Sequence, residues 1–263
     1  MKISLVTLSF NQRAYLREAM DSVISQAFPE LEYIVVDPGS TDGSRELIQS
    51  YAPHITHTIF ERDKGPGDGL NKGFTRATGD VYGFLNSDDL LLPGSLQRVA
   101  DFFKRNPECA MALGNGYVID GEGRRLRHVE ARDFTVRRYF YGGSKFLQQS
   151  TFFRADAFLR SPKFNVENRT CWDGELFVTM AAQGARIGYI QADLASFRLH
   201  DASISGSGRT FEQYVVDSRR LFRRFEGRDW KSTDELLRFV YRAENLLIRT
   251  RSWLQDLASR ESA

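Results

Sequence analysis

The sequence predicts an α/β fold built on a mostly parallel central sheet, and three features predict it. Short apolar runs recur along the first 120 residues. Segments of helical periodicity separate them. Each run ends in a cluster of turn residues or acids, where sheets of this kind bind ligands.

The elements follow in order. Ile3 to Leu8 reads as a buried strand. Asn11 opens a helical segment with Leu16, Ala19, Met20, Val23, Ile24 and Ala27 on one face. Leu31 to Val36 is a second strand, stopped by Asp37-Pro38-Gly39-Ser40. Thr41-Asp42 can cap a helix that buries Leu47, Ile48 and Tyr51. Ile55 to Phe60 reads as a third strand, and the stretch from Asp63 to Gly73 as a Gly-rich, charged loop. Val81 to Leu85 is a further strand, ending in Asn86-Ser87-Asp88-Asp89. Pro93 suits the start of a helix carrying Leu96, Val99 and Phe103. Ala110 to Ile119 continues the sheet, and the pattern then turns irregular. Trp172-Asp173 precedes an apolar helix from Glu175 to Ala182, and Ile187 to Gln191 is a short late strand. Two amphipathic helices follow residue 210. One carries Phe211, Tyr214, Val215, Leu221, Phe222 and Phe225, and the other Leu236, Val240, Ala243, Leu247, Leu254 and Leu257. The domain division expected is 1–208 for the α/β body and 209–263 for a C-terminal helical extension.

Composition narrows the function. The chain has 263 residues, 41% hydrophobic and 27% charged, with a formal net charge of +2. That excludes a disordered or fibrous chain and gives no global pull toward nucleic acid. Cys109 and Cys171 are the only cysteines. They make neither a disulfide framework nor a zinc site alone, and fit reduced thiols in the cytoplasm. No apolar run is long enough to span a bilayer, and Met1 to Phe10 does not read as a signal peptide.

Adjacent acids at the end of a buried strand concentrate negative charge at the ligand edge of the sheet. Hard divalent cations take such oxygen ligands and share them with phosphates. An acidic cap on the following helix is the structural alternative for Asp88 and Asp89. Asp37 reads either as a turn residue or as an acceptor for a nucleobase N–H. Gly65 to Lys72 is not a P-loop, because it lacks the Gly-Lys-Ser/Thr ending.

Four segments carry a family resemblance together. They are Ser4 to Asn11, Tyr33 to Ser44, Glu61 to Gly73 and Ala77 to Leu90. In this order they resemble the family 2 inverting glycosyltransferases of the GT-A fold. The likeness covers roughly residues 1–205. It is greatest to bacterial members that build exopolysaccharide, colanic acid or O-antigen. The resemblance implies a nucleotide-sugar donor and a divalent cation, Mn2+ or Mg2+, and Asp37, suited to a uracil N–H, makes a UDP-sugar the preferred donor. The resemblance also implies that Thr7, Ser9, Asn11 and Asp37 hold the nucleoside, and that Asp63, Lys64 and Asp68 line the nucleotide and donor sugar. Asn86-Ser87-Asp88 stands where the family has Asp-x-Asp. Asp88 becomes the principal metal ligand, Asp89 assists directly or through water, and Pro38 replaces a second acid after Asp37. Asp173 takes the place of the general base, with Trp172 beside it on the acceptor side. Gln148 and Gln149 belong to the segment beneath the acceptor, and His200 lies near the metal or diphosphate.

The resulting expectation is sugar transfer to a glycan or lipid-linked hydroxyl in cell-surface polysaccharide synthesis, on the inner face of the membrane or free in the cytoplasm. A nucleotidyltransferase is a second enzyme reading, and the sequence lacks the basic Gly-rich loop that chemistry needs. A non-catalytic nucleotide-sugar or glycan-binding module is the alternative of another class. The C-terminal helices have three readings: closing the core, pairing two copies, or docking on anionic lipid.

Overall fold

The computed structural model describes residues 1–201, 203 and 210–261, with side chains to Leu247. The expected boundary between 208 and 209 lies outside the described residues, as do the side chains of Leu254 and Leu257.

The first half is β1 (Ile3–Leu8), α1 (Arg13–Ile24), β2 (Leu31–Val36), α2 (Ser44–Ser50), β3 (His57–Ile59), α3 (Pro66–Phe74) and β4 (Val81–Asn86). β3, β2, β1 and β4 lie side by side and all parallel. Their C-terminal ends therefore share one edge. Successive residues face opposite layers, as the strand period requires. Leu5 packs with Leu16, Met20 and Phe103 on one side, and Val6 packs with Leu70, Phe74 and Phe153 on the other.

The Gly-rich stretch is not a loop. From Pro66 onward it is α3, started by a proline at its first position, where a missing N–H costs nothing. Its glycines let it lie tight on the sheet: a Cβ on Gly73 would come within 2.6 Å of Val6. Asp68 therefore sits in a first helical turn.

The second half is β5 (Leu90–Leu91), α4 (Ser95–Arg105), β6 (Met111–Ile119), β7 (Arg125–Val129), α5 (Val136–Phe140), β8 (Thr151–Arg154), α6 (Ala155–Arg160), α7 (Trp172–Ala182) and β9 (Ile187–Arg198). β8 runs antiparallel between β4 and β6, and β9 pairs parallel with β6. The late strand is twelve residues, longer than expected, because two bulges let it follow β6 past Asn115. β7 and β8 carry no clear alternation in the sequence. β7 is an edge strand with four exposed residues, and β8 is buried on both faces. α1 ends at Ile24, so Ala27 falls in the turn beyond it, with positive φ.

α8 (Phe211–Glu226) and α9 (Ser232–Glu261) follow. α8 buries Asp217, Leu221 and Phe222 against the body. α9 lays Tyr241 against Tyr141 at a centroid distance of 6.0 Å.

Candidate active site

A cleft of about 1170 Å³ opens at the C-terminal edge of the parallel strands. Ser9 and the Pro38-Gly39 turn form one end, and Asp63, Lys64 and Gly65 border it. Asn86, Ser87 and Asp88 form the floor. Gln148, Gln149, Trp172 and Asp173 form the far wall. Ten of the sixteen site residues expected from the sequence thus line one cavity.

The other six stand behind it. The Thr7 hydroxyl is buried and accepts a hydrogen bond from Tyr33 at 3.0 Å. Asn11 adopts the left-handed conformation that asparagine tolerates. Its side chain accepts from the Thr41 N–H at 2.9 Å, and its own N–H donates to Ser40. Asn11 therefore braces the first strand-end loop against the second. Asp42 adds to this, capping Ser44 of α2 and accepting the Arg13 N–H of α1.

Asp37 is placed differently from a free base contact. Its carboxylate is fully buried and accepts from the N–H groups of Gly39 and Ser40, the Ser40 hydroxyl and Arg45. Burial alone would raise its pKa, and these donors together hold it below the usual value. As placed, it shapes the turn that presents Pro38 and Gly39 to the cleft.

Asp63 accepts from the Gly65 N–H, and Asp68 accepts from the Lys64 N–H and pairs with Lys72 at 3.6 Å. Burial, with Asp68 and Asp37 nearby, raises the Asp63 carboxyl. The loop is thus tied by its own acids, and the Lys64 ammonium is left at the rim.

On the floor, Asp88 meets His200 at 3.0 Å, from the Asp88 carboxylate to Nε2. The His200 ring packs on Tyr15 at a centroid distance of 4.5 Å. Asp89 does not share that edge. It is fully buried and receives the Arg198 N–H at 2.9 Å, Gln149 at 2.6 Å and Asn86 at 3.1 Å. Burial and the neighbouring Asp88 charge push its pKa well up. Among the described residues no group of three or more His, Cys, Asp or Glu side chains is arranged around one point. Asp88 and His200 offer two adjacent ligands, and the remaining positions on a hard cation would fall to phosphate oxygens. The site fits a shared metal rather than a protein-only cage, with Asp89 as a brace.

Asp173 lies in the first turn of α7 rather than before it, because the helix starts at Trp172, three residues earlier than the sequence pattern suggests. Its carboxylate accepts the Gly174 N–H at 2.8 Å. Burial pushes its pKa to about 6, a value suited to a base near neutral pH. Trp172 stands mostly in the core, against Phe84 at 5.4 Å and Phe164 at 5.7 Å, and shows one edge to the cleft. The Gln148 amide spans the Phe84 carbonyl and Asn86.

Several cleft residues escaped the sequence reading. Arg62 and Arg169 bring two more cations to its rim. Arg62 adjoins Asp63 and could have been read with it. Arg169 carries no periodic signal, yet it reaches across to Gly65, whose added Cβ would lie 2.6 Å from the guanidinium. Its loop is held from α8: buried Asp217 accepts from the Arg169 N–H at 3.2 Å and the Thr170 hydroxyl at 2.9 Å. Next to the base, Glu175 is buried and accepts from Asn165, Asn168, Arg220 and Arg224. Arg198 is buried as well, donating to the Asp88 and Gly121 carbonyls and to Glu18.

Comparison with known proteins places the chain in a family. The family model described as "Glycosyl transferase family 2" matches residues 4–161. An uncharacterised glycosyltransferase of Nostoc sp. is 36% identical over 129 residues, 48% of this chain and 40% of that protein. The putative teichuronic acid biosynthesis glycosyltransferase TuaG of Bacillus subtilis is 34% identical over 120 residues, 44% of this chain and 47% of TuaG. The chain spans about half the length of these curated relatives. Among solved structures, S. aureus TarS 1-349 in complex with UDP-GlcNAc superposes with a TM-score of 0.66 at 21% identity, over 94% of this chain and 72% of that one. The mannosyltransferase PcManGT of Pyrobaculum calidifontis, in complex with GDP-Man and Mn2+, gives 0.63 at 17% identity, over 92% and 68%. At such identities the likeness speaks for the fold.

Proposed function

This chain belongs to glycosyl transferase family 2, and from that premise we propose that it is an inverting transferase of a nucleoside-diphosphate sugar, UDP-linked by preference. The acceptor is a hydroxyl on a glycan or lipid-linked glycan, in cell-surface polysaccharide synthesis. One observation carries the reading. Asp88 on the strand-end floor and Asp173 on the first turn of α7 line the same cleft, reached from opposite sides of the fold.

The residues divide the work as follows. Ser9, Pro38 and Gly39 receive the nucleoside, on a turn that Asp37 and Asn11 hold in shape. The loop of Asp63, Lys64 and Asp68 borders the nucleotide and donor sugar, with Ser87 and Asn86 beneath. Asp88 and His200 would hold a divalent cation, Mn2+ or Mg2+, which neutralises charge on the departing diphosphate. Asp89 acts behind them, fixing Gln149 and the backbone of Arg198. Asp173 takes the proton of the attacking hydroxyl, and attack from its side inverts the anomeric centre. Gln148, Gln149 and Trp172 face the acceptor.

The test is thermal stabilisation by UDP, GDP, dTDP and CMP, each with Mn2+, Mg2+ or chelator. A ligand that binds only the folded state raises the melting temperature. One nucleotide should do so with metal, and Asp88→Ala should abolish the metal-dependent part. A shift with every nucleotide that ignores both chelator and Asp88→Ala would overturn the metal assignment. Donor binding without transfer to any acceptor would instead favour a non-catalytic binding module.

A further inference from the structure

The apolar surface of the described residues is unevenly spread. Twelve large apolar side chains stand exposed, and nine of them are on α8 and α9. Only Phe10, Leu126 and Leu159 lie elsewhere. Exposed apolar side chains gathered in one place mark an interaction surface, whereas scattered ones need no account.

α9 is anchored by one face and exposed to solvent on the other. Asp234, Tyr241 and Asn245 face the body. Asp234 accepts from the Tyr141 hydroxyl at 2.8 Å, and Asn245 donates to the Gly142 carbonyl at 2.9 Å. The outward face carries Leu236, Phe239, Val240, Leu246 and Leu247, each more than half exposed. Their spacing is informative. Leu236, Ala243, Thr250 and Leu257 follow at intervals of seven. So do Phe239, Leu246 and Trp253, and Val240, Leu247 and Leu254. Residues beyond 247 enter here by sequence alone. A stripe that repeats every seven residues matches the seam between two helices that wind around each other.

We propose that this stripe is the contact through which a second copy of the chain docks, α9 against α9. Its surroundings argue against the other occupant, an anionic bilayer. Lipid docking favours a polar face of unpaired Lys and Arg. Here both signs border the stripe, with Glu235 beside Arg238 at 3.6 Å and Glu244 against Arg138 at 2.9 Å. The four arginines of α8 are likewise spent on acids: Arg219 on Glu235, Arg220 and Arg224 on Glu175, and Arg223 on Asp229. None of the stripe residues is among those lining the cleft.

The experiment is the mass of the intact chain by sedimentation equilibrium at micromolar concentration, with and without the double substitution Phe239→Glu, Leu246→Glu. Both side chains are exposed, so the variant should keep its helical circular dichroism and its nucleotide-dependent melting shift. The expected result is twice the 30.1 kDa of one chain, falling to a single copy in the variant. A single copy for the unmodified chain at every concentration overturns the proposal. So does a dimer that survives the substitution. A monomer that co-sediments with vesicles of anionic lipid, and loses this in the variant, overturns it in favour of the membrane.

Discussion

The two sides of the cleft are built on different principles. On the donor side, the three acids of the nucleoside turn and the loop after it are held by the chain immediately around them. Asp37 is bonded within residues 39–45, Asp63 by Gly65, and Asp68 by Lys64. On the acceptor side, the supporting bonds come from far along the chain. Glu175 is held by Arg220 and Arg224, 45 and 49 positions away, and Asp217 holds Thr170 from 47 positions away. Local support makes a compact motif. Remote support needs the finished fold, and it ties α8 to the site.

The largest expected effect separates chemistry from both kinds of support. Asp173→Asn keeps the shape of the first turn of α7 and removes the base. Transfer should fall by about 10²–10⁴-fold with donor binding retained. The pH profile sharpens this. Asp173 must be ionised to accept a proton, and its pKa stands near 6. Activity of the unmodified chain should therefore fall about tenfold per unit as pH drops below that value. The sign for stability is the reverse of a salt-bridged acid. A raised carboxyl pKa penalises the folded state above it, so Asp173→Asn should not lower the melting temperature at pH 7. Unchanged turnover, or a collapse of stability, would each break the assignment.

A smaller effect tests remote support. Replacing Arg220 and Arg224 together by Ala leaves Glu175 buried with only its two asparagine donors. Losing charged partners of a buried acid should cost about 1–3 kcal/mol of stability, read by denaturant unfolding. Because both arginines are partly exposed, the lower end of that range is expected. Glu175 lies two residues from Asp173, so kcat should fall while the KM for donor stays near its original value. An equal loss in donor binding would show that the two sides are not separately supported.

The same contrast explains what was legible in the sequence. The parallel half could be read because each strand is an apolar run ending in its own turn residues. The acids of that side announced themselves for the same reason. Asp173 was found through a resemblance of motif, not through its surroundings. The partners of Glu175, the tie from Asp217 and the arm of Arg169 join residues that no local pattern links. Buried Arg198 has no signal at all, because burial of an arginine depends on carbonyls that only the folded chain brings together. β8 was hidden because a strand covered on both faces has no alternation to show. α3 was hidden by its glycines, which favour loops in isolation and here serve close packing on β1.

The smallest effect bears on the donor side. Ser9 is 1% exposed, lines the cleft, and its hydroxyl has no hydrogen-bond partner in the protein. A buried hydroxyl without a partner costs free energy unless something outside the chain completes it. Among the described residues Ser9 is the one cleft-lining side chain whose buried polar atom has no partner in the protein, so it is directed at the ligand. Ser9→Ala should leave stability unchanged or slightly raised. It should weaken donor binding by one ordinary hydrogen bond, about 0.5–1.5 kcal/mol, or roughly two- to tenfold in Kd. Calorimetric titration of donor into both proteins reads this difference. If affinity is unchanged while stability falls, the hydroxyl serves the fold, and the donor side has no vacancy for its ligand at that point.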